Sequence, residues 1–108
     1  MPIALPEPVA AFFAAESMQN LDALGRCFAD HAVVRDDGRT IEGVPGIKRW
    51  MRDAKAKYHH TVEPLDVVKR DGKTVVVARV AGDFPGSPLD LDHTFTIEGD
   101  RISSLEIG

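Results

Sequence analysis

Leu89-Asp90-Leu91-Asp92-His93-Thr94-Phe95-Thr96-Ile97 alternates apolar and polar side chains, with His93 alone standing at an apolar place. Successive side chains of a strand point to opposite faces, so Leu89, Leu91, His93, Phe95 and Ile97 share one surface and the Asp, Thr and Glu98 side chains share the other. Gly99-Asp100 then turns the chain, and 102–107 reads as a returning strand. Upstream, Asp71-Gly72 is a strong two-residue hairpin turn that joins strands at 61–69 and 74–81. The stretch 75–80 is apolar on both parities apart from Arg79, the pattern of a strand covered on both faces. Phe84-Pro85-Gly86-Ser87-Pro88 reads as a rigid connecting turn without a further role. The second half of the chain is therefore a four-strand antiparallel meander.

The first half is mostly helical. Val9, Phe12, Phe13 and Glu16 follow i, i+3, i+4, i+7 spacing in a helix expected over 6–18, where the prolines fall in the first turn. Asn20 is the expected N-cap of a short second helix, with Asp22 favourable to its dipole and Leu21, Leu24, Cys27 and Phe28 on its buried side. A short strand at 32–36 turns at Asp37-Gly38 into a second one at 40–42. After Gly43-Val44-Pro45-Gly46 comes the clearest helix. Ile47, Trp50, Met51, Ala54 and Tyr58 form its apolar stripe, and Lys48, Arg49, Arg52, Asp53, Lys55 and Lys57 occupy the remainder. Helices segregated from an antiparallel sheet make an α+β fold.

The chain has 108 residues, enough for one domain over 1–108 and one core. Its 44% hydrophobic and 28% charged residues argue against disorder. With 17 acidic against 13 basic residues and no basic cluster, neither a nucleic-acid nor a membrane partner is expected. The apolar run at 8–15 lacks a preceding positive charge and is bounded by Glu7 and Glu16, so it reads as a helix of the fold rather than a signal peptide. One cysteine, Cys27, excludes an intrachain disulfide and suits a reducing, cytoplasmic setting. Because Cys27 shares a helix stripe with Leu24 and Phe28, it reads as core and not as a nucleophile. His59-His60 lie next to each other and would point to opposite faces of a strand, and no H-x-H or H-x-x-x-H spacing occurs. No metal or cofactor site is expected.

In layout the chain resembles the nuclear transport factor 2-like superfamily, in its SnoaL-like and ketosteroid-isomerase-like branches. The resemblance is carried by Asn20-Leu21-Asp22, by Phe28-Ala29-Asp30-His31-Ala32-Val33-Val34 leading to Asp36, and by Gly43, Gly46, Ile47 and Trp50. It continues through Gly82-Asp83-Phe84-Pro85-Gly86-Ser87-Pro88, Phe95 and Gly99-Asp100-Arg101-Ile102. It implies a cone-shaped, curved sheet wrapped around three helices, with an internal pocket for a small apolar molecule. Homodimers formed through the outer sheet face are common in such proteins. This superfamily hosts isomerases, cyclases, epoxide hydrolases and binding modules, so the fold alone does not select an activity.

Two residues carry the expected chemistry. By the resemblance Asp36 stands where the isomerases keep their general base; on its own, Asp36-Asp37-Gly38 is equally a solvated turn. His93 interrupts an apolar row, and the resemblance places it at a pocket-facing hydrogen-bond donor to a developing enolate. Alternatively it is a structural histidine bonded to backbone. The expected catalytic pair is thus Asp36 and His93. Phe12, Trp50, Arg79 and Phe95 are the candidate substrate-binding residues. Each has a plainer reading: core packing for the aromatics, and a cross-sheet ion pair for Arg79. Tyr58 is expected to cap its helix. The isomerases carry a tyrosine oxyanion donor on the first helix, and counting back from Asp36 puts Phe12 there, so steroid isomerisation is not expected. The chain's end after Ile107 leaves no tail expected at the pocket. Reading the fold as a filled dimerisation domain, or as a binding module without catalysis, stays open.

Overall fold

The computed structural model describes residues 4–108. Three helices, α1 (Glu7–Met18), α2 (Leu21–Cys27) and α3 (Val44–Tyr58), are interleaved with six strands, β1 (Phe28–Asp36), β2 (Arg39–Glu42), β3 (Thr61–Arg70), β4 (Lys73–Ala81), β5 (Leu89–Glu98) and β6 (Arg101–Ile107). The strands form one curved, unclosed sheet in the order β2-β1-β6-β5-β4-β3. All neighbours run antiparallel except β1 and β6, which pair in parallel.

Local chemistry accounts for most boundaries. Asn20 caps α2 by accepting from the backbone N–H of Ala23 at 3.1 Å. Asp37-Gly38 and Asp71-Gly72 each place two residues at positive φ between strand ends, which is what a tight primed hairpin turn needs. β1 is longer than the 32–36 read from sequence. It begins at Phe28, directly after α2, because Phe28 adopts extended backbone dihedrals and pairs with Ile102 of β6. Its ring faces the core from the strand rather than from the helix.

The core lies between the concave sheet face and α1. Phe12 is its centre: its ring packs edge-on against Phe13, Phe28 and Phe95, with centroids 5.1, 5.9 and 5.5 Å apart. Val9, Leu24, Ile47, Ile102 and Leu105 complete it, each almost fully buried. Cys27 belongs to the same cluster. Its thiol donates to the Ala23 carbonyl and burial pushes its pKa up, so it is inert packing. Filling this end of the fold leaves the other end, at the C-terminal ends of β1 and β6 and the N-terminal ends of β3 and β5, open.

Candidate functional site

That open end is a cavity of about 510 Å³, within the range of small-molecule sites, with mostly apolar walls. Its polar lining comes from separate elements: Asp36 at the end of β1, His93 on β5, Glu16 on α1, Tyr58 on α3 and His60 at the start of β3. Strand register explains the first two. Ile107 of β6 pairs with Asp36 on one side and with His93 on the other, so three neighbouring strands present one row to the cavity. At about 4.8 Å per strand, Asp36 and His93 sit roughly 10 Å apart at backbone level.

Asp36 is half-buried, and its Oδ2 accepts the Trp50 indole N–H at 3.0 Å. A hydrogen bond to an ionised carboxylate contributes roughly 1.5–3 kcal/mol and fixes the carboxyl's orientation. Trp50 therefore does more than wall the pocket, as the sequence reading had it: it holds the acid. His93 is 3% exposed, and its Nδ1 lies 3.2 Å from the Leu91 carbonyl oxygen. A carbonyl only accepts, so Nδ1 carries the proton. Burial lowers the His93 pKa, with the Leu91 carbonyl and the charges of Asp36 and Asp92 opposing. The ring is neutral at physiological pH and its free Nε2 is an acceptor. The donor role expected for His93 is thus not the one this tautomer allows.

The other expected site residues divide. Phe12 lines the cavity floor. Phe95 does not reach it. It is fully buried two residues beyond His93, where the rings of Phe12 and Phe13 fill the space in front of it. Arg79 is also absent from the site. It has the parity opposite to Val76 and Ala78, so it lies on the outer sheet face, half-exposed and bonded to Asp90 directly across the ladder at 3.0 Å. The plainer reading of Arg79 holds.

Three contributions were missed. The 84–88 loop is more than a turn, because Phe84 and Pro85 line the cavity and Phe84 meets Tyr58 edge-on at 6.0 Å. His59 is exposed beside Asp83, whereas His60 turns to the cavity, where burial lowers its pKa. Gly82 makes that corner possible: a Cβ there would fall 2.7 Å from the Tyr58 carbonyl and 2.8 Å from the His60 Cβ. The third is a buried ion pair of Glu16 with Lys55, both at most 9% exposed. Lys55 also donates to the His60 carbonyl at 2.7 Å. Lys55 follows Ile47 and Met51 at four-residue spacing, so it lies on the apolar stripe and not on the polar remainder. Among the described residues no group of His, Cys, Asp or Glu side chains is arranged to hold a metal ion, and no helix is long and apolar enough to cross a membrane.

Burial raises the Glu16 pKa, with the Lys55 hydrogen bond and charge opposing it. Lys55→Met removes the opposing partner and leaves a carboxylate in an apolar wall, which costs about 3–5 kcal/mol at neutral pH. A raised folded pKa means the folded state prefers the protonated acid, so stability is present below the unfolded value and lost as pH rises through the folded one. Urea unfolding should therefore show a larger loss in Lys55→Met at pH 8 than at pH 5. A loss independent of pH contradicts the buried pair.

Residues 9–105 match the model of the SnoaL-like domain. The chain is 43% identical to a presumed polyketide cyclase from Sinorhizobium meliloti, over 96% of this chain and 95% of that one, with a TM-score of 0.93. A protein of ketosteroid-isomerase-like fold from Catenulispora acidiphila, solved in complex with trimethylamine, is 24% identical over 97% and 86% of the two chains, with a TM-score of 0.83. A nuclear transport factor 2-like protein from Cytophaga hutchinsonii, 16% identical over 100% and 91%, has a TM-score of 0.77 and shows the fold alone. No curated protein sequence matches. The match over nearly the whole chain, with the curved sheet and open-ended cavity, makes this chain a member of the SnoaL-like domain family, within the nuclear transport factor 2-like fold.

Proposed function

We propose that the chain binds a small apolar carbonyl compound in its cavity and moves a proton on it, as an isomerase- or cyclase-type enzyme. The observation that carries this reading is the row Asp36–Ile107–His93, which turns two proton acceptors from distant parts of the chain toward one largely apolar cavity. Asp36 takes a proton from the carbon beside the substrate carbonyl. The electron pair moves to the carbonyl oxygen, and the resulting enolate is reprotonated at the same or a conjugated carbon. Trp50 holds the Asp36 carboxylate in place for this transfer. His93, neutral with Nε2 free, is the second acceptor, able to carry the proton between positions. The enolate oxygen needs a donor. With Phe12 where the isomerases carry a tyrosine, the hydroxyl of Tyr58 on the cavity wall fills that role. The presumed cyclase activity of the Sinorhizobium meliloti protein fits such chemistry.

The test is hydrogen–deuterium exchange into a panel of enolisable cyclic ketones, followed by NMR. Asp36→Asn should lower exchange about 100-fold or more, the usual contribution of a positioned general base. Tyr58→Phe should lower it about 10-fold to 1000-fold, within the range for an oxyanion donor. Wild-type rates in both Asp36→Asn and His93→Leu contradict the roles. A ketone that binds and is recovered with no exchange favours a binding module instead, a reading that Phe12 supports.

We also propose that two copies pair through the outer sheet face and work in a reducing, cytoplasmic compartment. Val68, Val77, Thr94 and Thr96 make that face β-branched around the buried Val75, with Val68 41% exposed. Its rim carries both signs, Arg79 with Asp90 and Arg35 with Glu106, so the same patch can face itself. Sedimentation velocity should give a dimer that Val68→Lys shifts toward monomer; a monomeric wild type at about 50 μM, a concentration at which even a micromolar dimer is mostly assembled, contradicts pairing.

A further inference from the structure

The Glu16–Lys55 pair leaves something over. Lys55 engages Oε1 of Glu16, while Oε2, in a side chain 1% exposed on the cavity wall, has no protein hydrogen-bond partner. Nδ1 of His60 is also buried without a partner. Burial lowers the His60 pKa, so the ring is neutral and one of its two nitrogens is an acceptor. Paired with the Lys55 cation, Glu16 presents Oε2 as an acceptor, and the unpaired His60 nitrogen lies beside it as a second polar atom. They belong to one corner, because Lys55 ties Glu16 to the His60 carbonyl. A buried acceptor left unpaired costs about 1–3 kcal/mol, so this corner calls for a donor from the occupant of the cavity.

We propose that the Glu16–His60 corner is a second recognition point, which takes a hydroxyl group of the ligand. This deepens, and rests on, the reading of the cavity as a site for a small apolar molecule. The ligand is then two-ended: an apolar body carries a carbonyl toward Asp36 and His93 and an O–H toward Glu16. A hydroxyl fits better than an ammonium group because the Lys55 cation already lies against Glu16 and a second cation would be repelled. An ether or methyl at the same position has no proton to donate and would leave Glu16 Oε2 unpaired, so the corner selects for a donor as well as for shape.

Calorimetric titration with 2-methylnaphthalene and 2-naphthol separates the two claims. The first compound needs only the apolar cavity; the second adds a hydroxyl where the first has a methyl. Wild-type protein should bind 2-naphthol about 10-fold tighter, the worth of one good hydrogen bond to a charged acceptor. The preference should vanish in Glu16→Leu/Lys55→Met. That double variant keeps its fold because it replaces both members of a buried ion pair with apolar side chains of similar size. In Asp36→Ala, which removes the alternative acceptor, the preference should persist. Equal affinities in the wild type, or a preference that survives the double variant, overturn the inference and leave the cavity reading standing. Failure of 2-methylnaphthalene to bind any of the three proteins overturns both.

Discussion

The parallel pairing of β1 with β6 is the constraint on which the rest of the molecule depends. It is the one parallel contact in the sheet, and it joins the first strand of the chain to the last. Without it β1 and β2 would be an isolated hairpin, which is marginal alone in water. With it, β6 becomes an interior strand whose inward residues Ile102 and Leu105 are almost fully buried. The sheet curls over α1, and a carboxyl group at position 36 comes to the same cavity as an imidazole at position 93. The chemistry is a consequence of register: a slip of one residue between β1 and β6 would turn Asp36 to the outer face.

Within the cavity the charges are arranged with economy. Two imidazoles, His60 and His93, are kept neutral by burial, so each is available as a proton acceptor. Asp36 keeps one carboxylate oxygen on the Trp50 indole, and Glu16 keeps one on Lys55. Each acid is thus anchored through one oxygen, leaving the other without a protein partner among the described residues. That arrangement suits a site that must orient a ligand with few polar contacts on an apolar background. The aromatic cluster around Phe12 supports it from below. Those rings fill the deep end of the fold and confine the open volume to the end where the polar groups lie.

Much of this was legible in the sequence because it is local. The hairpin turns at Asp37-Gly38 and Asp71-Gly72, the Asn20 cap and the stripe of α3 follow from short-range geometry. So does the inward row of β5, from which His93 stands out. The parallel β1–β6 contact was not legible, since no local pattern encodes which distant strand a short segment joins. Arg79 was over-read, although the parity that put His93 inside also put Asp90 opposite it on the outer face. The buried Glu16–Lys55 pair did leave a signal: opposite charges sitting on the apolar stripes of two separate helices. Assigning Lys55 to the polar remainder of α3 concealed it. Phe84 and His60 reach the cavity through a loop and a strand start, where side-chain direction depends on packing, as the fit of Gly82 against the Tyr58–His60 corner shows.

The central claim is that Asp36 and His93 share one poorly solvated space, and NMR titration of the His93 ring tests it most directly. Burial should hold the wild-type pKa below the ordinary 6.5, and Asp36→Asn should lower it further, because the Asp36 charge favours the imidazolium. A His93 that titrates at or above 6.5, or one indifferent to Asp36→Asn, would contradict the account.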